Sequence, residues 1–199
     1  MESTHFDTTP YRRRFCVDDW EKMVSTGALP EFEGLELICG DLLRKEPAEE
    51  MALTPLPLRT ACVRRLNRLF SLRLGDSALV DVRAPVALHD QKSEPHPDAV
   101  LLRPREDFYS AGTPKSSDVL LILEVMNPAV TEYLDFKLSL YAKAYISEAW
   151  KVDLNSEEIW VYRRPSPKGY RDARSYRRGD SISPEAFPET AFAVDEILG

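Results

Sequence analysis

The sequence has few cysteines and histidines, and their spacing excludes several kinds of site. Among its 199 residues only three are Cys and three are His. The cysteines, which are Cys16, Cys39 and Cys62, form no C-x-x-C pair and have no neighbouring His, so no zinc site is expected and the thiols should be free. The histidines show no triad-type spacing and no Gly-x-Ser-x-Gly elbow is present, which argues against a Ser-His-Asp hydrolase.

Long apolar runs are also missing. No run approaches the roughly 18 residues that a membrane-spanning helix needs, and the N-terminal stretch MESTHFDTTPYRRRF lacks the apolar core of a signal peptide. We therefore expect a cytoplasmic protein with no membrane partner. With 43% apolar residues, the chain is long enough for one domain with its own core, over residues 15–199, preceded by a flexible tail over residues 1–14.

Positive charge is scarce as well. The 26 Lys and Arg residues are outnumbered by 33 Asp and Glu residues, which gives a formal net charge of −7 at pH 7. This balance argues against tight, non-specific nucleic-acid binding held mainly by phosphate contacts. It does not exclude a nuclease, because a carboxylate site lowers the formal charge and a bound divalent cation restores part of it.

The sequence does contain three ionisable residues in segments that are otherwise apolar. Asp98 opens an apolar strand directly after a Pro-His-Pro run, and Glu124 lies near the end of the next apolar strand. Lys137 falls inside the apolar stripe of a predicted helix, seven residues after Val130 and four before Tyr141. An ionised Glu is almost never fully buried without a partner, so these residues are expected to interact.

A metal site is the arrangement that accounts for all three residues together. If the two strands pair antiparallel, the start of one lies opposite the end of the other, so Asp98 and Glu124 meet. Two adjacent carboxylates repel each other, and a divalent cation or a Lys removes that cost. Carboxylate ligands suit Mg²⁺ or Mn²⁺. Two alternatives stay open, namely that Asp98 is an ordinary strand-start residue and that Lys137 extends to the helix edge.

These residues and their surroundings resemble a known family. A Pro-Asp, a Glu that closes a hydrophobic strand and a Lys on the following helix are similar to the Uma-two family, a branch of the PD-(D/E)XK superfamily of restriction-endonuclease-like proteins. The segments FCVDDWEKMVSTGALP, LELICGDLLRKEPA, SEPHPDAVLLRPREDFY and KLSLYAKAYISEAWKVDL each resemble a family block, in the same order. The resemblance covers residues 15–199.

The resemblance implies roles for four residues. Asp98 and Glu124 correspond to the metal-binding carboxylates, and Glu36 to the acidic residue of the family's first hairpin. Lys137 corresponds to the catalytic Lys, which has moved to the helix from the usual E-x-K position, here Met126. The implied fold is α/β, with a restriction-endonuclease-like core in which helices flank a mixed β-sheet. The implied activity is Mg²⁺- or Mn²⁺-dependent hydrolysis of DNA.

The chain also departs from the family pattern near these residues. Arg59 stands where members usually carry His, and Tyr133 and Leu134 stand where they carry Asp-Arg. The hairpin reads Cys39-Gly40-Asp41 instead of Asp-Gly-Glu. Because the groups around metal ligands orient those ligands, a second hypothesis stays open. In it the protein is a catalytically degenerate nuclease fold that binds nucleic acid or a protein partner without cleavage.

The hydrophobic pattern predicts the elements around these residues. Before the helix that carries Lys137, two others are expected, one with Asp18 as its N-cap that ends before Gly27 and one over residues 59–74. A hairpin should turn at Cys39-Gly40. Strands are predicted over residues 78–82, 86–88, 98–103 and 119–125 and on both sides of residues 155–157, followed by an edge hairpin within residues 165–182 and by a closing strand and short helix.

Large apolar side chains in the C-terminal half suggest self-association. Trp150, Trp160, Phe187 and Phe192 are more than one small core is expected to hide. Related nucleases often use two subunits, so the resemblance also implies a homodimer, with an edge strand near IWVYRR or the face around Phe187 as its interface. The alternative is that these residues simply fill the core beneath the sheet.

Overall fold

A computed structural model of the chain describes residues 13–28, 34–44, 56–126 and 131–199. Most of the predicted tail, and Val130 of the predicted helix stripe, lie outside these residues. The helices are α1 (Val17–Ser25), α2 (Leu56–Leu74), α3 (Thr131–Lys143) and α4 (Val194–Leu198). The strands are β1 (Leu35–Ile38), β2 (Asp41–Arg44), β3 (Leu79–Val82), β4 (Ala99–Leu102), β5 (Val119–Val125), β6 (Glu148–Asp153), β7 (Glu158–Ser166), β8 (Gly169–Arg177), β9 (Ser181–Ile182) and β10 (Phe192–Ala193).

Six of these strands form the central sheet, in the order β3-β4-β5-β6-β7-β8. Neighbours are antiparallel except β5 and β6, which are parallel. Parallel neighbours need a crossover connection, and α3 lies in the crossover between β5 and β6. The mixed sheet flanked by helices confirms the predicted α/β class.

A helix packs on each face of this sheet. Strand β5 is buried at all seven positions, as expected for a strand that is covered on both faces. On one face, Phe70 of α2 packs in a cluster with Trp150 of β6. On the other face, Tyr141 of α3 packs in a cluster with Ile122 of β5. None of the helices in the described part of the chain combines the length and apolar character that crossing a membrane requires.

Most of the large apolar residues in the C-terminal half belong to this core. Trp150 and Phe192 are fully buried, and their ring centroids lie 5.8 Å and 4.4 Å from that of Phe70. Phe187 is half-buried against the same cluster. The argument that these side chains exceed one core is therefore wrong for Trp150 and Phe192, because α2 supplies the apolar surface that covers them. The homodimer itself stays a prediction.

The first helix begins two residues earlier than predicted. Its N-cap is Cys16, not Asp18. The Cys16 thiol accepts a hydrogen bond from the backbone N–H of Asp19, and the Asp19 carboxylate accepts one from the N–H of Cys16. These reciprocal bonds are a capping box. Cysteine is not among the residues preferred at helix N-caps, so the sequence favoured the aspartate.

Two other boundaries differ for identifiable reasons. Helix α2 starts at Leu56, three residues before the predicted start, because Pro57 falls in the first turn, where a proline is tolerated. Residues 86–88 do not form a strand and make only isolated bridges, from Ala87 to Lys115 and from Leu88 to Ser93. These residues are apolar because they are buried in the core, and within the ranges given above they have no partner strand. The predicted hairpin at Cys39-Gly40 is confirmed by the pairing of β1 with β2.

A buried carboxyl group joins α1 to the segment that precedes Asp98. The indole N–H of Trp20 donates to Oε1 of Glu94 at 2.9 Å, and the backbone N–H of Glu94 donates to the carbonyl of Leu37 in β1. Burial raises the pKa of Glu94 to about 7. Within the described residues, Oε2 of Glu94 has no hydrogen-bond partner. The fold therefore favours the protonated form of this side chain.

We expect the ionised form of Glu94 to reduce the stability of the protein above neutral pH. Because its pKa is raised from 4.5 to about 7, the folded protein holds the proton more tightly than the unfolded chain. That stabilisation is complete below about pH 4.5 and is lost as the pH rises through about 7. Glu94→Gln should raise the free energy of unfolding by about 1–3 kcal/mol at pH 8, and by much less at pH 5.

Urea unfolding at both pH values measures this difference. The exposed Glu106→Gln, which removes a charge elsewhere on the surface, is the control and should leave the pH profile unchanged. Parallel pH profiles for Glu94→Gln and the wild type would contradict the prediction.

Candidate active site

The register of β4 and β5 brings the two predicted carboxylates together. The antiparallel ladder ends at the pair of Ala99 and Leu123, and the residues directly beyond this pair are Asp98, just before β4, and Glu124 in β5. Directly opposed residues have Cα atoms about 4.5–5.5 Å apart and side chains on the same face. Asp98 is 6% exposed and Glu124 is 5% exposed. The end of the ladder thus places Asp98 next to Glu124, and the charge of Asp98 contributes to raising the pKa of Glu124, after the larger effect of burial.

Lys137 approaches the same place from helix α3. Its Nζ lies 2.7 Å from Oε1 of Glu124 and 3.5 Å from Oε1 of Glu36, and it donates to the carbonyl of His96 at 3.4 Å. The residue is 5% exposed. Lys137 therefore points at the carboxylates, and the alternative in which it extends to the helix edge is wrong.

Glu36 enters the cluster from strand β1 and is fully buried. Its Oε1 accepts from the backbone N–H of His96 at 2.9 Å, and its Oε2 accepts from the hydroxyl of Tyr133 at 2.5 Å. Tyr133 is one of the positions at which the chain departs from the family pattern. Its hydroxyl supplies a partner that keeps the buried Glu36 satisfied.

Three further groups bind the central carboxylates. The hydroxyl of Tyr141 donates to Oε1 of Glu124 at 2.6 Å. The backbone N–H of Val125 donates to Oδ2 of Asp98 at 2.8 Å. Nη2 of Arg59, near the start of α2, lies 3.4 Å from each oxygen of Asp98. Each carboxylate of the cluster is thus held by donors from a different part of the fold.

The electrostatics of the cluster keep Lys137 charged and Tyr141 neutral. Burial raises the pKa of Glu124, and Lys137 opposes this effect. Burial alone lowers the pKa of Lys137, but Glu124 and Glu36 outweigh it and the pKa is raised. Burial and the adjacent Glu124 also raise the pKa of Tyr141 well above 10. At neutral pH, the ammonium and the hydroxyl both act as hydrogen-bond donors.

The two carboxylates could hold a divalent cation only if water or substrate supplied its other ligands. Across the ranges that the structure describes, no group of three or more His, Cys, Asp or Glu side chains converges to hold a metal. Asp98 and Glu124 supply two carboxylates. Mg²⁺ is commonly bound through one or two carboxylates, with water and substrate phosphate as its other ligands. Two opposed carboxylates therefore fit Mg²⁺ chemistry.

Some residues of the site were not singled out from the sequence. In the sequence, Arg59 and Tyr133 stand out as departures from the family pattern, and the helical spacing places Tyr133 and Tyr141 in the apolar stripe of α3. The signal for Tyr141 was its spacing, since it lies four residues after Lys137 and so shares its helix face. Tyr133 carries the same signal, since it lies four residues before Lys137, although its partner Glu36 is 97 residues away. For Arg59 the sequence carries no such signal, because its partner lies 39 residues away.

Fold and cluster together define a restriction-endonuclease-like protein, in which adjacent strands of a mixed sheet present two carboxylates to a basic residue. The chain belongs to the Uma2 (Uma-two) family, whose model, described as "putative restriction endonuclease", matches residues 35–195. The resemblance seen in the sequence is thereby confirmed.

A solved structure shares the fold. It is the crystal structure of a putative nuclease belonging to DUF820 from Anabaena variabilis, which is 16% identical, with a TM-score of 0.68 over 92% of this chain and 97% of that one. At this identity the likeness shows the fold alone. No curated protein matches the chain.

Removing the ammonium group of Lys137 should lower the stability of the protein substantially. Lys137→Met would leave the buried Glu124 and Glu36 without their ammonium partner, which should lower the free energy of unfolding by about 3–5 kcal/mol. Chemical denaturation measures this loss. The exposed Lys143→Met, at the end of the same helix, should change stability by less than about 0.5 kcal/mol.

The double variant Lys137→Met with Glu124→Gln tests whether the cost is electrostatic. Removing the charge of Glu124 should recover part of the loss, because one carboxylate no longer lacks a partner. A Lys137→Met protein as stable as the Lys143→Met control would mean that the ion pairs do not hold the cluster together.

Proposed function

We propose that the protein is a Mg²⁺- or Mn²⁺-dependent endonuclease that acts in the cytoplasm and hydrolyses DNA phosphodiester bonds. The observation that carries this proposal is the buried convergence of Asp98, Glu124 and Lys137, with 2.7 Å between Lys137 Nζ and Glu124 Oε1. A bound divalent ion supplies Lewis acidity toward a phosphoryl oxygen and toward the attacking water. The description of the family as a restriction endonuclease supports DNA as the substrate.

Each residue of the cluster has a role that follows from its contacts. Asp98 and Glu124 would hold the ion. Lys137 and Tyr141 both bind Oε1 of Glu124 and would thereby fix the orientation of that carboxylate. The Lys137 ammonium would orient the attacking water or stabilise negative charge that develops on the phosphoryl group. Glu36 would keep that ammonium charged and in place.

A binding protein without catalytic activity is the second candidate. The observation that favours it is the contact between Arg59 and Asp98, since both carboxylates then have a cation from the protein itself. Calorimetry with Mn²⁺ separates the two candidates. Binding that Glu124→Ala abolishes supports the enzyme, whereas no binding at millimolar metal supports the module that does not cleave.

The enzymatic proposal predicts that Asp98→Asn abolishes cleavage. Asn has nearly the same size and keeps an oxygen for the N–H of Val125, but it removes the charge that the ion needs. We expect the rate of Mn²⁺-dependent nicking of supercoiled plasmid to fall about 100-fold or more, which corresponds to the loss of several kcal/mol of transition-state stabilisation. The exposed Asp76→Asn should cleave like the wild type. Unchanged nicking by Asp98→Asn would show that the assignment is wrong.

We further propose that the chain forms a homodimer through the edge of the sheet. β7 contains the IWVYRR segment and is paired on both sides, whereas β8 within the predicted edge hairpin is an edge strand. An exposed edge can pair with its own copy across a two-fold axis. Light scattering at micromolar protein should give a mass of twice 22.7 kDa. A mass of one chain at every concentration would exclude the dimer.

A further inference from the structure

Among the residues that the structure describes, Arg59 is the cation of the cluster that the proposed chemistry does not use. It lies near the start of α2, and its side chain is 11% exposed. Helix α2 packs on one face of the sheet, and α3, which carries Lys137, packs on the other. Each of the two carboxylates contacts a different cation: Asp98 contacts Arg59 of α2, and Glu124 contacts Lys137 of α3.

The position of Arg59 places it in competition with a metal ion. Its Nη2 lies at the same distance, 3.4 Å, from Oδ1 and Oδ2 of Asp98. An ion coordinated by either oxygen would sit next to the guanidinium, and two cations at such close range repel each other. Lys can lose its proton to relieve repulsion of this kind, but Arg cannot. Displacement of the Arg59 side chain would relieve this repulsion.

We propose that Arg59 is a built-in counter-ion for Asp98, which a divalent cation must displace before it can bind. This inference rests on the proposed metal-dependent function. In the absence of metal, Arg59 compensates the buried charge of Asp98, because a buried carboxylate without a partner is strongly destabilising. When metal binds, that compensation is no longer needed. Arg59 therefore stabilises the metal-free fold and weakens the affinity for the ion.

Calorimetric titration of the full-length protein with Mn²⁺, without DNA, tests this competition directly. Arg59→Gln removes the charge and should bind Mn²⁺ about tenfold more tightly than the wild type. Arg59→Lys keeps a positive charge on a shorter side chain, so its affinity for Mn²⁺ should lie between those of the wild type and Arg59→Gln. Arg64→Gln removes an exposed arginine of the same helix. It should bind Mn²⁺ like the wild type, which controls for net charge.

Thermal unfolding supplies a second measurement. Metal-free Arg59→Gln should melt below the wild type, because Asp98 has lost its cation. Saturating Mn²⁺ should raise its melting temperature by more than it raises that of the wild type, since tighter binding to the folded state gives the larger shift. If Arg59→Gln does not fold without metal, the same comparison is made with Arg59→Lys.

The outcomes separate this inference from the function on which it rests. Equal Mn²⁺ affinities for the wild type and Arg59→Gln, both abolished by Glu124→Ala, would overturn the counter-ion role and leave the metal site standing. Weaker binding by Arg59→Gln would also overturn it, because Arg59 would then assist the ion. No binding by any variant at millimolar Mn²⁺ would overturn both the metal site and the role of Arg59.

Discussion

The ion pair between Lys137 and Glu124 is the interaction on which the site depends. Each partner is almost completely buried, and an isolated buried charge costs several kcal/mol even after the protein relaxes. Neither side chain is therefore tolerable without the other. The pair ties α3 to β5, and the contact of Lys137 with Glu36 extends the tie to the hairpin of β1 and β2. Three separate elements are held together by one ammonium group.

The cluster also shows how buried charge is made compatible with an apolar core. Tyr133 and Tyr141 each place a hydroxyl on a carboxylate, and burial keeps both phenols neutral. Neutral donors of this kind satisfy carboxylate oxygens without adding charge. A preorganised set of donors and charges is also what stabilises developing charge during a reaction. The features that allow the cluster to be buried are thus those that a catalytic site requires.

Much of this site is visible in the sequence. Strand β5 is a continuous apolar run interrupted only by Glu124, and its bounds at 119–125 follow from that run. Lys137 interrupts the apolar stripe of α3, and the hairpin turns at Cys39-Gly40 as its turn residues indicate. Such features are local, because the periodicity of a helix or strand and the chemistry of a turn are set by residues close together in the chain.

Which donor serves which carboxylate was decided only by the tertiary structure. Arg59 reaches Asp98 across 39 residues and Tyr133 reaches Glu36 across 97. Both contacts depend on how helices and hairpin pack against the sheet. The sequence by itself determined that Asp98, Glu124 and Lys137 are out of place in apolar segments and need partners. It did not determine those partners, because long-range pairing follows from the packing of whole elements and not from residue spacing.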